Sequence, residues 1–401
     1  MITEWFRLGI TNKRDSAILG KPLAINRLLR SQVTLWAIWG IFFVYLRCMF
    51  FTKRSELSGL TLASALVATI LTVPSSASAY TPSCTLLDAR SAVVNDEVFL
   101  GGDFIELGLS AKGSFGTSGD APGGFRASMG SSKVGMTADL DGFCAAPEDN
   151  VNRPIDFFLP GSPRERWSVG YKLGGATKSA GFSQLAGDLL PTGLTATHET
   201  SNLSSGDLLR AQIETTISDA GSEVLKVIAI HSFEKSDAYY STTVYFQNLT
   251  GEAMSDVRYM RSFDPDNLQY DGGGFSTTNT ILSQRGNVDL SSDVTTDASI
   301  VRATALSSDV NTSTLVSQLS STSGISTDVP IVFYSAEDES VAYRGGFKNS
   351  NPYDPTSSGD FFDTPQLPGN TFDGDQAIGI IVRQLSLASG ATSDPLVYVT
   401  S

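Results

Sequence analysis

The densest group of oxygen-bearing side chains in the sequence is RSFDPDNLQYDGGGFSTTN (Arg261–Asn279), where Asp264, Asp266, Asn267 and Asp271 fall within eight residues. Pro265 holds the chain extended between the first two aspartates, and Gly272, Gly273 and Gly274 let it double back. Hard cations such as Ca2+ take roughly six to eight oxygens from carboxylates, amides and carbonyls, and a loop of this composition supplies several. The competing reading is plain turn chemistry, in which Asp and Asn bond their own backbone and Asp264 or Asp266 pairs with Arg258 or Arg261. The spacing is not that of an EF-hand, whose glycine and closing glutamate are missing here. GDFFDTP (Gly359–Pro365) and FDGDQ (Phe372–Gln376) are weaker versions. Their Asp360, Asp363, Asp373 and Asp375 read as solvated turns that would join a second ion or ligand site if the loops meet.

Acid–base chemistry would start from the two histidines of the chain, His198 and His231, each with a carboxylate nearby in sequence at Glu199 and Glu234. His231 lies in a strand-like pattern, where a core or sheet-face histidine is the ordinary reading, and His198 lies in a polar stretch read as a surface loop. No H-x-x-x-H spacing marks a zinc site, no G-x-S-x-G marks a nucleophile elbow, and the glycine runs lack the lysine of a phosphate loop. NLT at Asn248 reads as turn chemistry rather than a glycan site. Trp167, Tyr239, Tyr240, Tyr270, Tyr343 and Tyr353 are candidate stacking platforms for sugars, although alternation assigns half of any such set to the core.

The elements that must carry these residues are strands. Short runs rich in Val, Ile, Tyr, Phe and Thr recur between Gly, Asn, Asp and Ser clusters, as in RWSVGYKL (Arg166–Leu173), EVLKVIAIHSFE (Glu223–Glu234) and AIGIIVRQLSL (Ala377–Leu387). The expected fold class is all-β, a large antiparallel β-sandwich of the supersandwich kind with few short helices. ASIVRATALSSDV and TSTLVSQLSST are the candidates for helical turns. The alternation up to Asn248, the turn through Leu249–Met254 and the return along Val257 and Tyr259 predict a hairpin. Gly187–Asp207 and Asn349–Asn370 read as long polar loops of the kind that carry function. LVYVTS (Leu396–Ser401) is a candidate unpaired edge strand.

Met49–Ala79 has the three parts of a secretory leader: Lys53 and Arg54, an apolar run over Leu57–Val73, and small Ala77 and Ala79 before a cut at Tyr80. The apolar stretch Val33–Phe51 upstream is either a membrane segment or the product of a start placed too early, with Met49 the initiator. Residues 1–48 are therefore set apart as an upstream extension, 49–79 as leader, and 80–401 as one domain in which 80–160 is a candidate sub-lobe. Residues 1–79 hold nine of the 28 Lys and Arg and three of the 42 Asp and Glu, which leaves 19 basic and 39 acidic residues and a net charge of −20. Such a charge repels nucleic acid and anionic membranes. Cys84 and Cys144 remain after cleavage and read as one disulfide of an exported chain.

NDEVFLGGDFIELGLSAKGSFGT, followed by APGGF and VGMTADLDGF, resembles a region of large exported bacterial surface proteins. VYFQNLTGEAMSDVRYMRSFDPDN is similar to a hairpin of the same proteins, and DGDQAIGIIVRQLSLASGATSDPLVYVTS is similar to their last strands. The resemblance implies a β-supersandwich in extracellular proteins that mostly lack an assigned activity. The expected function is that of a secreted or cell-surface structural or binding protein, with the periplasm as the alternative compartment. Its expected partner is extracellular polysaccharide or another surface protein, and its expected cofactor, if any, is Ca2+. The first alternative is a carbohydrate-binding or mutarotase-like carbohydrate-active module, and the second is a self-assembling filament or matrix subunit.

Overall fold

The computed structural model describes residues 88–125, 132–139, 142–143, 155–159, 165–266, 274–285, 297–306, 330–347 and 349–401. Residues Pro82–Ser401 form one compact unit. The leader, the upstream stretch, Cys84, Cys144 and the second candidate helical turn lie outside the described residues.

Among the described residues there is no helix, and the strands form three antiparallel sheets. The first sheet is a meander of β1 (Arg90–Val94), β2 (Glu97–Gly101), β3 (Ile105–Leu109), β4 (Met136–Ala138) and β5 (Ile155–Asp156). The remaining strands in chain order are β6 (Glu165–Leu173), β7 (Ala176–Phe182), β8 (Leu194–Asn202), β9 (Leu208–Asp219), β10 (Ser222–Glu234), β11 (Tyr240–Asn248) and β12 (Met254–Phe263). They continue with β13 (Thr277–Ser283), β14 (Ser299–Ala305), β15 (Ile331–Ser335), β16 (Ser340–Gly345), β17 (Thr371–Gly374), β18 (Ala377–Leu387) and β19 (Leu396–Thr400). The nine-stranded sheet runs β17-β13-β14-β15-β19-β11-β10-β9-β8, and the other five-stranded sheet runs β16-β18-β12-β6-β7.

These two sheets pack face to face. The inward residues of β9, β10, β11 and β19 alternate strictly, as Ile213, Val227, Val244 and Tyr398 do, and meet Trp167, Tyr259, Phe263 and Ile380 of the smaller sheet in one core. Tyr259 stacks on Tyr398 at 6.1 Å, and Phe263 meets Phe333 edge-on at 6.4 Å. The smaller sheet is buried on its other face as well, which is why Ala377–Val382 reads as an unbroken apolar run. Met260, Val341, Tyr343 and Ile381 pack there beneath Phe361 of the 349–370 segment, with Tyr343 stacked on Phe361 at 5.6 Å.

Three expectations change. Ser299–Ala305, within the first candidate helical turn, is a strand, because Ile300, Val301 and Thr304 suit the pleat and both neighbours, β13 and β15, are in place to pair with it. β11 and β12 do not form a hairpin: β11 pairs with β10 and β19, β12 pairs with β6 and β18, and the turn between them crosses from one sheet to the other. The crossing is held by Asn248, which is fully buried and donates its amide to the carbonyls of Glu252, Leu387 and Ala388 while its own oxygen accepts from the Thr250 backbone. Finally, Leu396–Thr400 is not an edge. It lies between β11 and β15 and joins the two halves of the large sheet, because Leu396, Tyr398 and Thr400 point into the core.

Candidate binding face and buried charge centres

Alternation along β12 divides its two arginines between opposite faces, since Tyr259, Arg261 and Phe263 point inward and Arg258, Met260 and Ser262 outward. Inside, Arg261 is fully buried and its Nε lies 2.6 Å from the Glu165 carboxylate. Nη1 donates to the Gly113 carbonyl at 3.0 Å, and the guanidinium sits 3.8 Å over the Phe115 ring. The other Glu165 oxygen accepts from the Phe115 backbone at 2.9 Å. Burial pushes the Glu165 carboxyl up to about 7, against the pull of Arg261 and the Phe115 amide. His231 lies beside this pair with Nδ1 at 2.9 Å from the Thr242 hydroxyl, and burial, helped by the Arg261 charge, holds its pKa well below the usual histidine value. The Lys112–Phe115 segment thus reaches between the two sheets, and Trp167 ties it down by donating to the Lys112 carbonyl at 2.7 Å. This centre organises the core and has no exposed side chain with which to meet a ligand.

Outside, Arg258 fixes the long 349–370 segment. It makes two bonds to Asp256 (2.7 and 2.9 Å) and two to Asp360 (2.8 and 2.7 Å). Tyr353 and Phe362 lie against its guanidinium at 4.3 and 4.8 Å, and Tyr353 donates its hydroxyl to the Asp256 carbonyl at 2.6 Å. Asp360 is therefore an ion-pair partner and not a solvated turn residue, and the loop is a cover for the sheet.

The remaining sequence candidates are dispersed. His198 is not in a loop: it lies on β8 with its ring turned inward, 2.9 Å from the Thr215 hydroxyl and edge-on to Phe182. Burial lowers its pKa to about 4. Glu199, its neighbour along the strand, necessarily points to the opposite face. Glu234 is exposed at the end of β10, so neither histidine meets its expected carboxylate. Asp264 and Asp266 are buried just beyond β12, whereas Asn267 and Asp271 lie outside the described residues. Burial, with the charge of Asp375 as a second cause, pushes the Asp266 carboxyl up to about 7. Among the described residues no group of three or more His, Cys, Asp or Glu is arranged to hold a metal. Of the aromatic candidates, Trp167, Tyr240 and Tyr343 are core, Tyr353 lies under Arg258, Tyr239 is exposed and Tyr270 falls outside the described residues.

Among the described residues, the outer face of β8–β11 is an extended surface that keeps solvent access. Its side chains are the polar half of the alternation: Glu214 accepts from Gln212 and Lys226, both at 2.9 Å, and Ile228 pairs across the strands with Tyr245 while Ile230 pairs with Thr243. The result is an aromatic ring and two aliphatic side chains set beside an amide, a carboxylate, an ammonium group and a hydroxyl, all on rigid strands. Tyr245 escapes a reading by residue type, yet the alternation Tyr240, Thr242, Val244, Phe246 already assigns it to the outer face.

No family model matches the chain, and no curated protein matches it. Among solved structures it is similar to the GH36 alpha-galactosidase AgaB from Geobacillus stearothermophilus (TM-score 0.32, 9% identity, 78% of this chain and 40% of that chain). The galactosidase domain of the alpha-galactosidase-sucrose kinase AgaSK gives 0.31, 9%, 78% and 41%, and the alpha-galactosidase from Lactobacillus brevis gives 0.22, 9%, 78% and 39%. The chain spans about two fifths of the length of these enzymes. Likeness at this level carries no argument about activity.

Proposed function

We propose that the protein is an exported binding module of the bacterial cell surface whose outer β8–β11 face engages extracellular polysaccharide. The observation that carries the reading is that face itself. A sugar ring presents hydroxyls around its rim and C–H groups on its flat sides, so a protein surface that binds it combines a flat apolar or aromatic platform with donors and acceptors around it. Tyr245 and Ile228 supply the platform, and Gln212, Glu214, Lys226 and Thr243 supply the polar groups. The leader-like N-terminal stretch and the acidic mature chain support an extracellular setting. The two histidines are turned into the core, which leaves their imidazoles remote from a ligand on this face.

The experiment is affinity electrophoresis of the purified protein through gels containing a panel of neutral, acidic and amino-sugar polysaccharides. Retardation in at least one gel, reversed by Tyr245→Ala, is expected. Equal mobility of the native protein in every gel would refute the reading, as would retardation that Tyr245→Ala leaves unchanged.

A further inference from the structure

Among the described residues the three sheets end in six edge strands, and five of them are short or guarded. β5 has two residues and β17 four, β1 and β16 carry Arg90 and Arg344, and β7 carries Lys178 and is paired at Gly181 with Leu189. The sixth, β8, runs for nine residues with no lysine, arginine or proline, and it pairs with β9 without a register shift along its whole length. Natural sheets blunt long edges with such residues or with bulges, because an open row of N–H and C=O groups is a template for another strand. The phase of this row follows from the bonds that flank the ladder. The Ala220 amide donates to the Gly193 carbonyl at 2.9 Å and the Leu203 amide to the Arg210 carbonyl at 2.8 Å, both in the β8–β9 register. Hydrogen-bonded and non-hydrogen-bonded pairs alternate along an antiparallel ladder, so Thr195, Thr197, Glu199 and Ser201 direct their backbone groups to β9. Ala196, His198 and Thr200 turn theirs to the open side, where no backbone partner meets them among the described residues. Thr200 and Asn202 hold the β1–β2 hairpin through inward-facing side chains, at 2.7 Å to the Asp96 carbonyl and 2.9 Å to the Ser91 hydroxyl, and not through the backbone.

We infer that β8 is a dimerisation edge, which pairs antiparallel with β8 of a second copy of this chain about a two-fold axis through Thr197. In that register the backbone of Ala196 exchanges hydrogen bonds with the partner's His198, and that of His198 with the partner's Ala196. On the solvated face Thr197 meets the partner's Thr197, a pairing that stabilises adjacent strands. Thr195 meets the partner's Glu199 there and offers its hydroxyl to the carboxylate. No like charges are opposed, whereas an axis through Glu199 would set two carboxylates against each other. On the inward face small Ala196 lies beside the partner's His198. A second copy fits this edge because the strand is complementary to itself, and an isologous contact closes at two chains instead of growing into a filament. The two nine-stranded sheets then become one continuous sheet with their β8–β11 faces side by side. A polymer that crosses both faces is held at two points, which raises avidity without a new contact. That consequence rests on the polysaccharide reading, and the pairing of the edges does not.

The test is sedimentation velocity of the purified protein over a wide range of concentrations, paired with hydrogen exchange at the two ends of that range. A reversible monomer–dimer equilibrium is expected, with the amides of Ala196, His198 and Thr200 exchanging at least tenfold more slowly at high concentration. Ala196→Pro removes one edge-facing N–H and leaves the bonds to β9 in place, and Thr197→Lys sets two ammonium groups together on the axis. Each should weaken the dimer Kd at least tenfold, with a Tm within a few degrees of native. Tyr245→Ala, on the outer face away from the edge, should dimerise as the native protein does whether or not the native protein binds polysaccharide. A monomer at every concentration up to millimolar would overturn the inference. So would a dimer in which the β8 amides gain no protection, or one that Ala196→Pro and Thr197→Lys leave at native strength.

Discussion

The Arg258 clamp makes the status of the 349–370 segment measurable. Arg258 is 1% exposed and shares its charge between Asp256 and Asp360 through four hydrogen bonds. Asp256 has further cations in Lys172 at 2.7 Å and Arg383 at 4.0 Å, so it is not stranded when Arg258 is removed. Asp360 is anchored by Arg258 alone among the ion pairs of the described residues, with its side chain 20% exposed. A hydrogen bond to a charged group contributes about 1.5–3 kcal/mol, and partial exposure of Asp360 lowers the two bonds together to about 2–3 kcal/mol. Arg258→Met takes both sets of bonds and the ring contacts, and the cost of breaking a buried pair sets it at about 3–5 kcal/mol. Urea unfolding reads both values, and limited proteolysis reads whether the segment lifts, since Phe361 and Tyr353 leave the sheet with it. Asp360→Asn should therefore lose about 1–3 kcal/mol and expose a cleavage site between residues 349 and 370. A change within about 0.5 kcal/mol, the range of an ordinary surface substitution, with native protease resistance would refute the clamp and return the segment to a solvated loop.

Two further outcomes follow from buried polar groups. His198 has a folded pKa of about 4, depressed chiefly by burial, so the unfolded chain takes up its proton first and stability falls as pH drops from about 6.5 towards 4; allowing for its partial exposure, His198→Gln should remove about 1–2 kcal/mol of that acid loss in urea unfolding series at pH 7 and pH 4.5, and an unchanged pH dependence would contradict the inward placement. Asn248→Ala leaves the carbonyls of Glu252, Leu387 and Ala388 without their shared donor and should cost about 2–3 kcal/mol by thermal or urea unfolding; a loss below about 0.5 kcal/mol would show that the crossing turn holds without it.

Much of the architecture was legible because strand periodicity is local. The 2-residue alternation of β9–β11 and the unbroken apolar run of β18 each report how many faces a strand buries. Pairing is not local. Alternation flanking a turn looks the same whether the second strand folds back beside the first or crosses to the other sheet, and the difference at β11–β12 depends on partners contributed by β18 and β19. His198 was misplaced for a related reason. TATHETSN is polar because β8 is an edge strand with a solvated outer face, and its composition mimics a loop. Asp360 read as solvated because its partner lies 102 residues away. The outer face was hidden differently: its residue types are ordinary, and only the strand order gathers Gln212, Lys226 and Tyr245 into one surface.

The most direct measurement is the affinity of the native protein and of Tyr245→Ala for the polysaccharide that retards the native protein most. Loss of a stacking ring on a rigid strand should weaken binding by tenfold or more, about 1.4 kcal/mol, while the melting temperature of the variant stays within a few degrees of native. Native affinity in a folded Tyr245→Ala protein would contradict the account and move the binding surface away from the β8–β11 face.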